Sequence, residues 1–200
     1  MAHRIYLETA KKSVFAVSLD WPGWCRRGRD ADDALEQFLE YESRYALIVS
    51  ADVTNDDVEV VGNVPGTPIT DFGAPRALGP WDDHPVARDV RLIHLDVLRE
   101  CWAYFDTVVD AAPERLTKGP RGGGRDRDQI TDHVREAERA CASKIGLRIA
   151  PRTPWERQRS LLSERLASEY ANEKWPADFA IRIIAWHVAD HAWEIQDKTP

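Results

Sequence analysis

Residues 185–195 read AWHVADHAWEI. His187 and His191 stand four apart, and on a helix positions i and i+4 lie one above the other on a single face. Glu194, three residues further on, shares that face. The surrounding residues are Trp and aliphatics, so the segment has the pattern of a core helix carrying two ionisable rings. It is expected to run from Pro176, a favoured residue at a helix start, to about residue 197. Two imidazoles one turn apart can reach the same metal ion at about 2.0–2.1 Å, and a divalent ion normally takes a third protein ligand.

The third candidate is His133, in DQITDHVREAERA (128–140). Ile130, Val134 and Ala137 flank it at helical spacing, which puts it at or near the core face of a helix expected over 129–144, capped by Asp128 and ended by Gly146. Helix axes in a packed pair lie about 8–10 Å apart, so side chains from facing helices can meet at one ion. His133, His187 and His191 are therefore the expected metal ligands. HExxH is absent, because Val188 follows His187, and this argues against a thermolysin-like protease. The bland alternative is a set of hydrogen-bonded histidines on apolar faces.

Working outward, the C-terminal half is helical in pattern. A helix over 86–112 carries the stripe Leu92, Leu95, Leu98, Trp102, Phe105 and Val109. Thr153-Pro154-Trp155-Glu156 has the form of a capping box with Pro at the first helical position, opening a helix to about residue 169. Four helices with short links imply an antiparallel bundle.

This half resembles the DinB/YfiT-like metalloprotein superfamily. ITDHVREAE (130–138) is similar to that family's second-helix histidine segment, and AWHVADHAWEI to its final-helix HxxxH segment. The resemblance covers roughly residues 86–197. It implies a four-helix bundle and a divalent metal, zinc or nickel most often, on His133, His187 and His191. It also implies relatives that are thiol-dependent transferases or isomerases using mycothiol or bacillithiol, with others proposed as hydrolases. A low-molecular-weight thiol thus joins the metal as an expected cofactor, and a small molecule is the expected substrate.

The first third alternates at period two in RIYLET (4–9) and VFAVSLD (14–20), then turns helical from Ala31 to Ile48 behind Asp30, and returns to strand in VEVVGNV (58–64). LDWPGWCRRGRDADDAL (19–35) resembles the turn and helix start of the HicB-type antitoxin fold, with an extra residue, Trp24, between Gly23 and Cys25. The expected organisation is α+β: a β-β-α-β HicB-like module over 1–65, a linker over 66–85, and a DinB-like bundle over 86–200. The linker is rich in Gly, Pro and Asp, and Phe72 and Trp81 are expected to pack in part. The module is expected to close over the bundle mouth or to mediate contacts in a homodimer. A non-catalytic alternative is a regulatory protein whose HicB-like module binds a partner and whose bundle is a metal-stabilised scaffold.

Composition narrows the partners. The 200 residues carry 27 Lys+Arg against 34 Asp+Glu, a formal charge of -7. An acidic chain is a poor match for nucleic acid. No apolar run has the length of a membrane span or the form of a signal peptide, so a cytoplasmic location is expected. Cys25, Cys101 and Cys141 form no CxxC pair and are expected to be reduced thiols, Cys101 and Cys141 buried and Cys25 exposed. Gly122-Gly123-Gly124 lacks the ending of a phosphate-binding loop and reads as a flexible link. With Arg121, Arg125 and Arg127 it is also a candidate anion-contacting rim over the histidines. Asp190 and Glu194 are either acceptors that orient the imidazoles or ordinary surface charges. His3, His84 and His94 receive no role.

Overall fold

A computed structural model describes residues 2–50, 57–120, 123–169 and 173–200. The chain is α+β: a four-stranded N-terminal sheet followed by helices. Strands β1 (His3–Thr9) and β2 (Val14–Ser18) form an antiparallel hairpin, β3 (Cys25–Gly28) continues it, and β4 (Val58–Pro65) returns parallel to β1, giving the order β3-β2-β1-β4. Strand β3 was not expected. Its four residues, CRRG, have no alternation long enough to register in the sequence.

Period-two alternation sends Ile5, Leu7, Val14 and Ala16 into the main core and Tyr6, Phe15 and Val17 to the opposite face. Helix α1 (Ala31–Glu40) covers the first face. Its N-cap is Asp30, whose carboxylate accepts from the Asp33 N–H at 3.0 Å. The helix expected over 31–48 breaks at Tyr41, and a short α2 (Glu42–Tyr45) follows. Trp24, the extra residue of the turn, is fully buried. Its ring stacks on Phe38 at 4.8 Å and Tyr45 at 5.0 Å, and its Nε1–H donates to the Phe38 carbonyl at 2.9 Å. The next residue, Cys25, is buried and not exposed, because β3 places it against Tyr6 and Trp186.

The segment expected as a linker is structured. Thr67 caps α3 (Pro68–Phe72), and a 3-10 turn spans Pro80–Asp82. Trp81 packs on Tyr6 at 4.5 Å as expected, whereas Phe72 is 91% exposed because it sits at the outer end of α3. Two buried polar contacts fix the segment. Glu8, at the end of β1, accepts from Thr70 Oγ1 at 2.5 Å and from the N–H groups of Arg76 and Ala77 at 3.0 Å each. Asp82 pairs with Arg182 at 2.6 Å.

Four long helices complete the chain: α4 (Arg88–Ala111), α5 (Arg127–Lys144), α6 (Trp155–Ala167) and α7 (Ala177–Lys198). Helix α7 touches the other three. It is apolar on nearly every side, with Phe179, Ile181, Ile183, Ile184, Val188 and Ile195 all buried, which is the pattern of a central helix. Two starts differ from expectation. Helix α5 begins at Arg127 behind Asp126, not Asp128: the Gln129 side chain accepts from the Asp126 N–H, while the Asp126 carboxylate is occupied by Lys118. Helix α6 begins at Trp155 with Pro154, which has no capping side chain, at the N-cap position, and the Thr153 carbonyl accepts from Arg135 at 2.7 Å.

The WPGW turn sets the sheet against these helices. Gly23 adopts φ 98°, and a Cβ there would lie 3.2 Å from Cys101 Sγ on α4 and 3.4 Å from Ala185 on α7. Arg26 on β3 reaches Asp190 on α7 at 3.1 Å while its guanidinium covers the Tyr41 ring at 3.6 Å. A single apolar cluster accordingly runs from Ile5 and Trp24 through Leu98 and Phe105 to Ile184 and Val188.

Candidate metal centre

Helix α5 supplies His133 and helix α7 supplies His187 and His191. The three rings converge: their potential ligand atoms all lie within 4.8 Å of one another. Ring centroids are 5.0 Å apart for His133–His187, 4.9 Å for His133–His191 and 4.5 Å for His187–His191. His133 Nε2 and His187 Nε2 face each other at 3.2 Å. Two nitrogens bound at about 2.0–2.1 Å to one tetrahedral ion stand roughly 3.3–3.4 Å apart, so this spacing suits a shared cation.

Electrostatics agrees with the donor chemistry. Partial desolvation of its ring lowers His133 to about 4, with His191 and Arg125 adding to the effect. His187 lies well below its ordinary range, again through burial first and then the neighbouring imidazoles, Arg76 and Arg125. Both rings are thus neutral at pH 7, the form that ligates metal. His191 is oriented by Glu194, whose carboxylate takes its Nδ1 at 2.6 Å and is itself held by Lys198. The bond to His191 first, and Lys198 after it, keep the Glu194 carboxyl down at about 2. With Nδ1 engaged, His191 has Nε2 left to offer, the arrangement that imidazole–carboxylate pairs give metal ligands. His191 is buried, His187 half-buried and His133 exposed, so the cluster opens on the α5 side. A metal ion could be held by these three side chains.

Glu194 therefore has the orienting role, and Asp190 does not: it pairs with Arg26. Arg127 is also away from the rim, bonded to Asp128 at 2.8 Å and to the Ala112 carbonyl at 2.9 Å. Arg125 is close enough to act on His133 and His187, while Arg121 and Gly122 lie outside the described residues. The remaining histidines stand elsewhere. His3 bonds Ser18 at 2.8 Å, His94 is buried 3.9 Å from Asp178, and His84 is exposed. Arg76 and Lys198 were missed. Arg76 stands in a stretch without periodicity, which gives no sequence signal. Lys198 was readable as the i+4 partner of Glu194.

No helix among the described residues is long and apolar enough to cross a membrane. No known protein family, curated protein or solved structure matches the chain.

Proposed function

We propose that the chain is a divalent-metal-dependent enzyme of the DinB-like type, acting on a small-molecule substrate, with zinc or nickel held by His133, His187 and His191. In this reading α4 to α7 are the DinB-like four-helix bundle, and the sheet with α1 is a HicB-like module seated on it. The observation that carries the proposal is the convergence of three imidazoles from two helices within 4.8 Å, one of them oriented by a carboxylate. Three neutral ligands leave a divalent ion its full charge, and a bound ion would act as a Lewis acid on a thiol or a carbonyl.

The chain's own groups define the rest. Glu194 and Lys198 lock the His191 ring. His133, at the exposed edge, marks the side from which a substrate enters. A thiol-dependent transfer or isomerisation fits well, and the thiol would come from a small molecule. Cys25, Cys101 and Cys141 are all buried, and burial raises each thiol, Cys141 to about 11 and Cys25 well above its ordinary value. None of them is poised as a thiolate nucleophile. Hydrolysis is the alternative reaction class at the same site.

Metal analysis of the purified chain tests the reading. About one zinc or nickel ion per chain is expected under metal-replete conditions, and a His187→Ala variant is expected to lose it. A wild-type chain without stoichiometric metal would overturn it.

A further inference from the structure

Two stripes run side by side along α7. His187, His191, Glu194 and Lys198 make one of them, spaced as i, i+4, i+7 and i+11. Trp186, Asp190, Trp193 and Asp197 make the other, each residue one position earlier. Residues at those spacings share a face, and a step of one residue is a rotation of about 100° around the helix axis. The first stripe carries two histidines of the cluster and the groups that orient one of them. The second is gripped along its length by the N-terminal elements.

Trp186 packs edge-on against Phe15 of β2, with ring centroids 6.0 Å apart, in the cluster on the second face of the sheet. Asp190 pairs with Arg26 of β3 at 3.1 Å. Trp193 meets the Tyr41 ring edge-on at 5.0 Å, at the break between α1 and α2, and Asp197 pairs with Arg44 of α2 at 3.0 Å. Arg26 joins several of these contacts. While it holds Asp190, its guanidinium lies 3.6 Å from the Tyr41 ring centroid and 5.4 Å from that of Trp193. Residues 186 and 190 are thus tied to the paired strands β2 and β3, and His187 and His191 are the residues that follow them.

Small rotations matter at such a site. Side-chain ends stand about 5–6 Å from a helix axis, so a rotation of about 10° moves a ring nitrogen by about 1 Å. A metal site holds its ligands to within about 0.2–0.5 Å. Apolar packing, which covers most of α7, is non-directional, whereas ion pairs and edge-on rings have preferred geometries.

We propose that the N-terminal sheet is a positioning element of the histidine cluster: Phe15 and Arg26, acting through Trp186 and Asp190, fix the rotation of α7 and so aim His187 and His191 at His133. Phe15 and Arg26 are positioning residues. The effect on metal rests on the metal-enzyme reading above. The aim of the rings does not, and it can be followed in the metal-free chain.

The experiment uses the full chain with Arg26→Met, Arg26→Lys, Phe15→Leu and Phe38→Leu variants. Phe38→Leu is the matched control, because Phe38 is buried like Phe15 but stacks on Trp24 in the other apolar cluster of the sheet. Three readouts are taken: zinc affinity by chelator competition, the absorption bands of the cobalt(II)-loaded chain, and the imidazole NMR signals of the metal-free chain. Arg26→Met is expected to weaken zinc binding about tenfold and to move the cobalt bands and the His187 and His191 signals. Arg26→Lys should recover most of the affinity by restoring a cation to Asp190. Phe15→Leu should weaken zinc severalfold and move the same signals with no change of charge, and Phe38→Leu should leave all three readouts in place. If Arg26→Met does not fold, Phe15→Leu carries the test.

Wild-type readouts in the folded Arg26→Met variant overturn the proposal. So does an equal effect of Phe38→Leu, which would mean general loosening. A wild-type chain that takes up no zinc, with imidazole signals that still move in Arg26→Met and Phe15→Leu, sinks the metal reading alone. Stoichiometric zinc with equal affinity and equal signals in all the variants sinks the positioning role alone.

Discussion

The Glu194 carboxylate takes Nδ1 of His191 at 2.6 Å, from one helical turn further along α7. This leaves Nε2 as the free nitrogen of the His191 ring, so the carboxylate would set the geometry of that ligand without itself touching a bound ion. A Glu194→Gln variant keeps the shape and loses the charge. Its metal affinity is expected to fall about 10- to 100-fold, as measured by competition with a chromogenic chelator. Equal affinity in the two proteins would mean that the carboxylate is only a surface charge.

Removing the metal should loosen the fold. An ion that binds only the folded chain stabilises it by mass action, by roughly 3–4 kcal/mol at 100 to 1,000 times its Kd. Chelator treatment of the loaded protein is therefore expected to lower the melting temperature by several degrees, and a His133→Ala variant should show no such drop. Identical melting curves before and after verified metal removal would contradict this.

Acid should destabilise the metal-free protein in a defined window. Burial, with Arg182 adding to it, lowers His94 to about 4, whereas an exposed imidazole titrates near 6.5. Between those values the unfolded chain binds more protons, so stability rises with pH there and is lost as pH falls from about 6.5 to about 4, by up to roughly 3 kcal/mol for this group. Urea denaturation of a His94→Asn variant should show a shallower acid limb over that interval. A slope equal to that of the parent would show that His94 does not couple to folding.

Asp82 and Arg182 form a buried pair linking the 3-10 turn to α7. Removing one partner leaves an uncompensated buried charge and is expected to cost about 3–5 kcal/mol, whereas Asp82→Asn combined with Arg182→Met should recover much of the loss. Denaturation midpoints of the two single variants and the double variant complete the cycle. Simple additivity would remove the pair from the account of how the turn is held.

Much of the site was legible because helical spacing is a local property. A spacing of four puts His187 and His191 on one face whatever surrounds them. His133 was placed by the apolar residues on either side of it. What escaped was set by distant partners. The pairing of Asp190 with Arg26 depends on β3, a four-residue strand too short to show a period. Cys25 is buried by the same strand. The stretch over 66–85 reads as a connection because Gly and Pro break its periodicity, yet its order comes from Glu8 and Arg182, residues far away in the chain. Arg76, whose backbone N–H donates to Glu8, is held by that order.

The WPGW turn has a practical consequence for anyone dissecting the chain. Gly23 lodges against Cys101 and Ala185, and the sheet's second face shelters Trp186. A fragment beginning at Arg88 would uncover the side of Cys101 and Ala185 that Gly23 covers and the face of Trp186 that the sheet covers, and Trp186 is in contact with His187. Such a truncate would be prone to clump, and its failure to take up metal would say nothing about the histidines themselves.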